Sequence, residues 1–166
     1  MQDAIICDID GTVALMKGKR TPYEYHKAFE DEPNVPVIQA LEAMTQYYSR
    51  YYKGEEIWII FTSARENREL EFDISISTYN NGKHLKDVGE LTEAWVNKWI
   101  GESEYHRFIF RKAEDYRKDA FVKFEIGKDI LTEFDILCVF DDRNQVVDMW
   151  RNGLGLQCFQ VADGNF

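Results

Sequence analysis

The chain has 166 residues, of which 45% are hydrophobic and 24 are aromatic (11 Phe, 9 Tyr and 4 Trp), enough apolar surface for one folded domain. Its 20 basic and 30 acidic residues give a net charge of −10, which argues against a protein that coats phosphate backbones. The apolar runs are too short to cross a bilayer, and no basic signal segment opens the chain. We therefore expect a soluble, cytoplasmic protein without membrane contact.

Short apolar runs alternate with segments of helical period along the chain. The runs that predict strands cover residues 4–8, 58–61, 108–110, 136–140 and 156–161, and helical spacing of apolar residues covers 37–48, 91–99, 122–130 and 146–150. This alternation predicts an α/β fold in which an open parallel sheet of about five strands carries helices on both faces. In such a sheet the functional residues gather at the carboxyl ends of the strands.

One segment, at about residues 72–90, departs from the alternation. Apolar residues of period two (Phe72, Ile74 and Ile76) precede Asn80-Asn81-Gly82, which is a strong hairpin turn signal. We predict a small β-hairpin insertion in a single domain spanning 1–166, with no large cap domain. Three roles are open to this insertion. It could be a lid over the functional residues, an edge through which two copies form a homodimer, or a passive surface excursion.

Carboxylates follow two of the predicted strands. Asp8 and Asp10 end the first strand, and side chains two apart on a strand point to the same side. A calcium loop counted from Asp8 would need Gly and Glu where the sequence has Val13 and Lys19, so an EF-hand is excluded. A solvated Asp-Gly turn is the simpler alternative for this pair.

Asp141 and Asp142 follow the fourth strand, and Ser63 and Arg65 follow the second. Four carboxylates at one sheet edge repel one another unless a cation lies between them, which favours an oxygen-ligated Mg²⁺. Read alone, Asp141-Asp142 could instead be a helix N-cap. The cysteines Cys7, Cys138 and Cys158 are widely spaced in apolar segments and are expected to be reduced, buried thiols.

The order of these motifs resembles the haloacid dehalogenase superfamily, because Asp8-Ile9-Asp10-Gly11-Thr12 is similar to its nucleophile motif. Residues 117–123, 140–151 and 160–164 resemble the 3′-phosphatase domain of phage polynucleotide kinase-phosphatases. The resemblance spans residues 3–166 and implies a haloacid dehalogenase-like Rossmann fold. The G-x-x-x-x-G-K-[ST] motif of the kinase half does not occur, and Ala64 stands where the second motif usually has Gly.

The resemblance also implies a role for each matching residue. Asp8 would attack phosphorus and form an aspartyl-phosphate, and Asp10 would protonate the leaving oxygen and then activate water. Ser63 would hold the transferring phosphoryl group, and Lys123 would neutralise its charge with Asp119 as orienting partner. The implied substrate-binding residues are Thr12, Ser63, Arg65, Arg111 and Asp119, and the implied Mg²⁺ ligands are Asp8, the Asp10 carbonyl and the Asp141-Asp142 pair, with Asp142 preferred.

Simpler structural roles stand beside several of these assignments. Lys123 follows the apolar Val122 and could face solvent on its helix, and Arg111 could form a structural ion pair. Thr62 could be only a β-branched strand residue. Trp95 and Trp99, four apart on a helix, fit a core position better than a base-stacking platform.

Basic residues concentrate in one part of this acidic chain. Residues 107–128 hold seven basic and four acidic side chains, a local charge of +3, which suits a grip on a terminal phosphate and its neighbours. With the resemblance, this implies an enzyme, a Mg²⁺-dependent phosphomonoesterase that removes 3′-phosphate from DNA or RNA ends, in a host cytoplasm if phage-encoded. The alternatives are a nucleotidase or small-molecule phosphatase, and an inactive protein that binds nucleic-acid ends.

Overall fold

The computed structural model describes residues 1–75 and 84–165 of the chain. Its elements in chain order are β1 (Gln2–Asp8), β2 (Ala14–Leu15), a 3₁₀ helix (Tyr25–Glu30), β3 (Glu32–Pro33), α1 (Val35–Tyr48), a π-helical turn (Ser49–Lys53), β4 (Trp58–Glu66), β5 (Glu69–Ser75), β6 (His84–Asp87), α2 (Val88–Trp99), β7 (His106–Arg111), α3 (Asp119–Ile130), β8 (Phe134–Arg143), α4 (Asn144–Asp148), a second π-helical turn (Met149–Gly153) and β9 (Cys158–Gly164). The five predicted strands correspond to β1, β4, β7, β8 and β9. The predicted α/β class is confirmed.

The central sheet has the strand order β7-β4-β1-β8-β9, and every pairing in it is parallel. The chain builds outward from β1 to β7 on one side and then returns to β8 on the other side of β1. In open α/β sheets this reversal opens a crevice at the carboxyl ends of the strands, where ligands bind. A binding site is therefore expected at the carboxyl ends of β1 and β8.

Helices cover both faces of the sheet, as the alternation predicted. Ile5 and Cys7 of β1 pack on one face with Leu41 of α1 and Trp95 of α2. The alternate residues Ala4 and Ile6 pack on the other face with Ile130 of α3, Val147 of α4 and Trp150 of the second π-helical turn. Because β1 is buried on both sides, it reads as a continuous apolar run rather than an alternating one.

The predicted hairpin is present as the antiparallel pair of β5 and β6, in which Ile74 lies opposite Leu85. Its limits differ from the predicted 72–90, since β5 begins at Glu69 and α2 already begins at Val88. The helix starts there because the Asp87 carboxylate accepts a hydrogen bond from the Glu90 amide at 2.8 Å, an N-cap that ends the insertion. The predicted turn at Asn80-Asn81-Gly82 lies outside the described residues.

The hairpin is anchored to the domain by its apolar side chains. Leu85 of β6 is buried in a cluster with Ala28, Leu91 and Ala94, against which Leu70 of β5 also packs. The insertion is therefore continuous with a small core beneath the 3₁₀ helix and α2. The predicted homodimer and the role of the hairpin stay predictions.

Two further sequence expectations can be compared with the described residues. The three cysteines are free and buried. Within residues 1–75 and 84–165, no helix combines the length and apolar character that crossing a bilayer requires.

The central position of β1 leads to a prediction about stability. Ile6 is completely buried between the sheet and α3 and α4, so Ile6→Ala should lower the free energy of unfolding by about 2–5 kcal/mol. Urea denaturation followed by circular dichroism measures this loss. Val35→Ala, at a half-exposed position on α1, is the control and should cost about 0.5 kcal/mol or less. Equal losses in the two variants would contradict the assigned core.

Candidate active site

Three buried carboxylates meet at the carboxyl ends of β1 and β8. One oxygen from each of Asp8, Asp141 and Asp142 lies within 4.8 Å of the others. The parallel pairing of β1 and β8 brings these residues to one sheet edge, although they are far apart in sequence. Because like charges so close together repel each other strongly, the cluster needs positive charge nearby.

Lys123 of α3 supplies part of that charge. Its ammonium nitrogen donates to Asp8 Oδ1 at 2.5 Å and to Asp141 Oδ2 at 2.8 Å, and the side chain is buried. The solvent-facing alternative for Lys123 is therefore wrong. Burial acts to lower the pKa of Lys123, but Asp141 and Asp8 outweigh it and raise that pKa above its usual range, so the ammonium stays charged.

The single Lys123 ammonium does not neutralise three carboxylates, and the pKa values of Asp8 and Asp142 are therefore raised. Burial, together with Asp141 and Asp142, raises the pKa of Asp8 to about 8 against the opposing effect of Lys123. Burial and the neighbouring Asp141 raise the pKa of Asp142 to about 6. The cluster thus disfavours its own full negative charge and would be stabilised by a further cation.

The two aspartates at the end of β8 differ in their surroundings. Asp141 accepts hydrogen bonds from Lys123, from Trp150 Nε1 at 3.1 Å and from the Arg143 amide at 3.2 Å. The Asp142 carboxylate lies over Gly11, where an added Cβ would overlap it. Gly11 also has φ +86°, a conformation that favours glycine. The cap residue of α4 is Arg143, without a side-chain hydrogen bond, so the N-cap alternative for these aspartates is not what the structure shows.

Asp10 lies beside the cluster with its side chain turned towards two arginines. Arg65 donates to both of its oxygens at 2.7 Å, and Arg20 donates to Oδ1 at 2.8 Å. Burial acts to raise the pKa of Asp10, but the guanidinium groups of Arg65 and Arg20 outweigh it and lower that pKa. Asp10 is therefore ionised, and only its backbone carbonyl is left as the predicted metal ligand.

Arg20 and Asp31 are part of the site, and sequence reasoning missed both. Asp31 accepts from Arg20 at 2.8 and 2.6 Å and from Arg65 Nη2 at 3.2 Å, with both of the Arg20 and Asp31 side chains fully buried. Arg65 also donates to Thr92 Oγ1 at 2.9 Å. Arg20 follows a lysine-rich stretch that looks solvated, and Asp31 lies in an irregular segment, so no periodic signal marks either residue.

The hydroxyl groups predicted for the site lie next to its acids. Ser63 Oγ lies 3.4 Å from Asp10 Oδ2 and accepts from the Arg65 amide at 3.1 Å, while Thr12 Oγ1 donates to Asp8 Oδ2 at 2.9 Å. Thr62 Oγ1 is buried and has no hydrogen-bond partner within the described part of the chain. This arrangement fits the strand role considered for Thr62. A core position was favoured for both Trp95 and Trp99. It is confirmed for Trp95, which is buried and donates to the Asp31 carbonyl at 2.9 Å, and it is wrong for Trp99, which is exposed near the end of α2.

Arg111 and Asp119 form a structural ion pair at the end of β7. The Arg111 guanidinium contacts Asp119 and donates to the carbonyl oxygens of Ala64, Asp115 and Arg117 at 2.6–2.9 Å. Asp119 also accepts from Arg143. The expected role of Asp119 as the partner of Lys123 is therefore corrected, because the Lys123 ammonium contacts Asp8 and Asp141 instead.

The carboxylate cluster and Lys123 line a cavity of about 490 Å³. This volume is suited to a small phosphate ester or a terminal nucleotide. Eight residues predicted from the sequence line it, namely Asp8, Asp10, Arg65, Arg111, Asp119, Lys123, Asp141 and Asp142. Ser63 and Thr12 are completely buried beneath it. The cavity lining also includes side chains to which the sequence analysis assigned no role, namely Met16, Tyr23, Tyr25, Tyr116 and Arg143.

Comparison with known proteins gives a consistent result. The family model described as "polynucleotide kinase PNKP phosphatase domain" matches residues 2–166. The chain is 25% identical over 151 residues to a protein of Autographa californica nuclear polyhedrosis virus named as a bifunctional polynucleotide kinase/RNA ligase. Two solved structures of the Pnkp1/Rnl/Hen1 complex, one described as an RNA repair complex, contain similar chains, with 33% identity in each and TM-scores of 0.74 and 0.75.

The matching regions cover nearly all of this chain but only part of its relatives. They include 90% of this chain and 18% of the viral protein. For the two solved structures they include 99% and 100% of this chain and 44% and 48% of the other chains. The chain therefore corresponds to one portion of longer proteins.

The buried arginine network leads to a prediction. Asp31→Ala would remove one of the two carboxylates that Arg20 and Arg65 share, and breaking a buried charge pair costs about 3–5 kcal/mol. We expect a loss of that size in the free energy of unfolding, measured by urea denaturation. Asp129→Ala, at an exposed position on α3, should change it by about 0.5 kcal/mol or less. A loss in Asp31→Ala no larger than in this control would refute the network.

Proposed function

Because the chain belongs to the family of polynucleotide kinase PNKP phosphatase domains, we propose that it removes the 3′-phosphate from DNA or RNA ends. The observation that carries the proposal is the placement of Asp8. Its carboxylate lines the cavity, and Lys123 and Thr12 each donate to one of its oxygens. A carboxylate fixed in this way can attack a phosphorus atom that enters from the cavity.

The first step joins Asp8 to the substrate. A carboxylate oxygen of Asp8 forms a bond to phosphorus as the bond to the nucleic-acid oxygen breaks, which gives an aspartyl-phosphate. Lys123 offsets the negative charge that accumulates between Asp8 and the incoming phosphoryl group. Phosphoryl transfer requires mainly positioning and charge compensation, and both are available here.

Asp10 is assigned the proton transfers. The anionic phosphate would raise the pKa of Asp10 as it binds, so that Asp10 takes up a proton and passes it to the leaving oxygen. In the second step the Asp10 carboxylate would take a proton from the water that hydrolyses the aspartyl-phosphate. Arg20 and Arg65 fix the orientation of its carboxylate through three hydrogen bonds of 2.7–2.8 Å. Ser63, next to Asp10, is assigned to hold the phosphoryl oxygens.

We also propose Mg²⁺ as the cofactor. Asp8, Asp142 and the Asp10 carbonyl would be its ligands, with Asp142 preferred over the neighbouring Asp141. The donors are all oxygens and three buried carboxylates face a single ammonium, which is the chemistry that a hard cation requires. When bound, the cation would supply charge compensation for the phosphate.

A nucleic-acid end is the proposed substrate because several arginines lie among the acids of the cavity and basic residues are concentrated in one part of the chain. Arg111, Arg117 and Arg143 line the cavity, and residues 107–128 carry a local excess of basic groups (7 − 4 = +3) in a chain of net charge −10. The names of the relatives, a polynucleotide kinase/RNA ligase and an RNA repair complex, support a role in nucleic-acid repair. A viral host's cytoplasm is the proposed location.

The nucleophile assignment predicts the effect of one substitution. Asp8→Asn keeps the shape of the side chain but removes the attacking oxygen anion, so it should abolish phosphate release while the circular dichroism spectrum is unchanged. Asp135→Asn is the matched control, since Asp135 is exposed at the opposite end of the sheet, on β8, and should keep full activity. Wild-type turnover in Asp8→Asn would show that covalent catalysis does not proceed through this residue.

The metal assignment predicts a paired change in stability and activity. EDTA should stop turnover and Mg²⁺ should restore it, and Mg²⁺ should also raise the Tm because a cation relieves repulsion among the carboxylates. Asp142→Asn should reduce both responses, while Asp135→Asn should retain them. Full activity in EDTA, or a Tm that Mg²⁺ does not change, would contradict the proposed site.

The substrate assignment is tested by comparing three kinds of phosphate ester. Phosphate release should be fastest from a 3′-phosphorylated oligonucleotide and slower from a 5′-phosphorylated one and from mononucleotides. Malachite green detection of free phosphate gives the three values of kcat/KM. A preference for mononucleotides would support a nucleotidase, the alternative that a cavity of about 490 Å³ also accommodates.

A further inference from the structure

Two exposed tyrosines stand at the cavity mouth. Tyr116 and Tyr23 are 83% and 78% exposed and are the two most exposed large apolar side chains in the described part of the chain. Both line the cavity that contains Asp8. Exposed rings contribute little to core packing, so their position calls for a role outside the fold.

The loop that carries Tyr116 is held rigidly although its ring is free in solvent. Arg111 Nη1 donates to the carbonyl oxygens on either side of Tyr116, those of Asp115 at 2.7 Å and Arg117 at 2.6 Å. The Arg117 guanidinium in turn binds the Asp115 carboxylate. The Arg111 side chain therefore fixes the backbone from which Tyr116 projects, and little conformational freedom remains to be lost on binding.

The loop that carries Tyr23 is tied down in a similar way. Arg20 donates to the Thr21 carbonyl at 3.2 Å, and the Thr21 amide donates to the Glu24 carboxylate at 2.8 Å. Pro22, directly before Tyr23, restricts the backbone further. Two aromatic rings are thus presented by fixed backbone at the entrance to one cavity.

We propose that Tyr116 and Tyr23 stack against the last bases of a single strand whose 3′-phosphate reaches Asp8. This inference rests on the proposed function. Aromatic rings beside basic groups are the usual means of binding single-stranded nucleic acid without sequence preference, and the half-exposed Arg117 next to Tyr116 is such a group. In a chain of net charge −10, stacking supplies affinity that long-range electrostatics cannot.

The two tyrosines should therefore distinguish a strand end that has bases from one that does not. Tyr116→Ala and Tyr23→Ala should each lower kcat/KM about tenfold or more for a 3′-phosphorylated oligonucleotide. The loss should be far smaller for the same oligonucleotide with abasic residues at its last two positions. Tyr116→Phe and Tyr23→Phe should recover most of the activity, because they keep the ring.

Tyr47→Ala is the matched control, because Tyr47 is an exposed tyrosine on α1 that does not line the cavity among the described residues. It should leave kcat/KM unchanged for both oligonucleotides. Equal losses on the two oligonucleotides in Tyr116→Ala, or no loss on either, would overturn the stacking role.

A binding measurement separates failure of this inference from failure of the proposed function. An oligonucleotide with 2-aminopurine as its 3′-terminal base should lose fluorescence on binding to the Asp8→Asn variant, because stacking quenches that base. Adding Tyr116→Ala and Tyr23→Ala to Asp8→Asn should remove the quenching, and quenching that persists would overturn the inference. If the wild-type protein releases no phosphate from a 3′-phosphorylated end, the proposed function fails, whatever the fluorescence shows.

Discussion

Asp8, Asp141 and Asp142 lie within 4.8 Å of one another, and their mutual repulsion is the constraint to which the surrounding structure responds. Lys123 reaches two of them from α3. A second group of charges, Asp10 and Asp31 with two arginines, is nearly neutral in itself and lies alongside. The site therefore combines a charge-balanced half around Asp10 with a half around Asp8 in which one ammonium faces three carboxylates.

The sheet could be predicted because its central strands β1, β4 and β8 are buried over most of their length and so appear as continuous apolar runs. The runs at 4–8 and 136–140 lie inside β1 and β8, and the strand order agrees with the parallel alternation. The hairpin was also evident, but its limits were not. They depend on the Asp87 N-cap, which starts α2 directly after β6, and on the burial of Leu85.

Much of the site was visible in the sequence because carboxylates follow the apolar runs directly. The structure brings the predicted acids, Arg65 and Lys123 to one cavity. Arg20 and Asp31 could not be found in this way, since their pairing joins two irregular segments by folding alone. The resemblance implied that Asp119 orients Lys123, but Asp119 instead contacts Arg111, the last residue of β7, in a different ion pair.

The central place of β1 also sets the order in which the site can form during synthesis. β1 pairs with β4 and with β8, whose residues lie about 50 and 130 positions further along the chain, so its contacts are strongly non-local and slow to form. A nascent chain that has produced β1, β4 and β7 still lacks the second neighbour of β1. Asp8 meets its ammonium partner only after α3 has been made. The carboxylate cluster around Asp8 is thus assembled only when α3 and β8 have both been made, and a shorter nascent chain does not contain it.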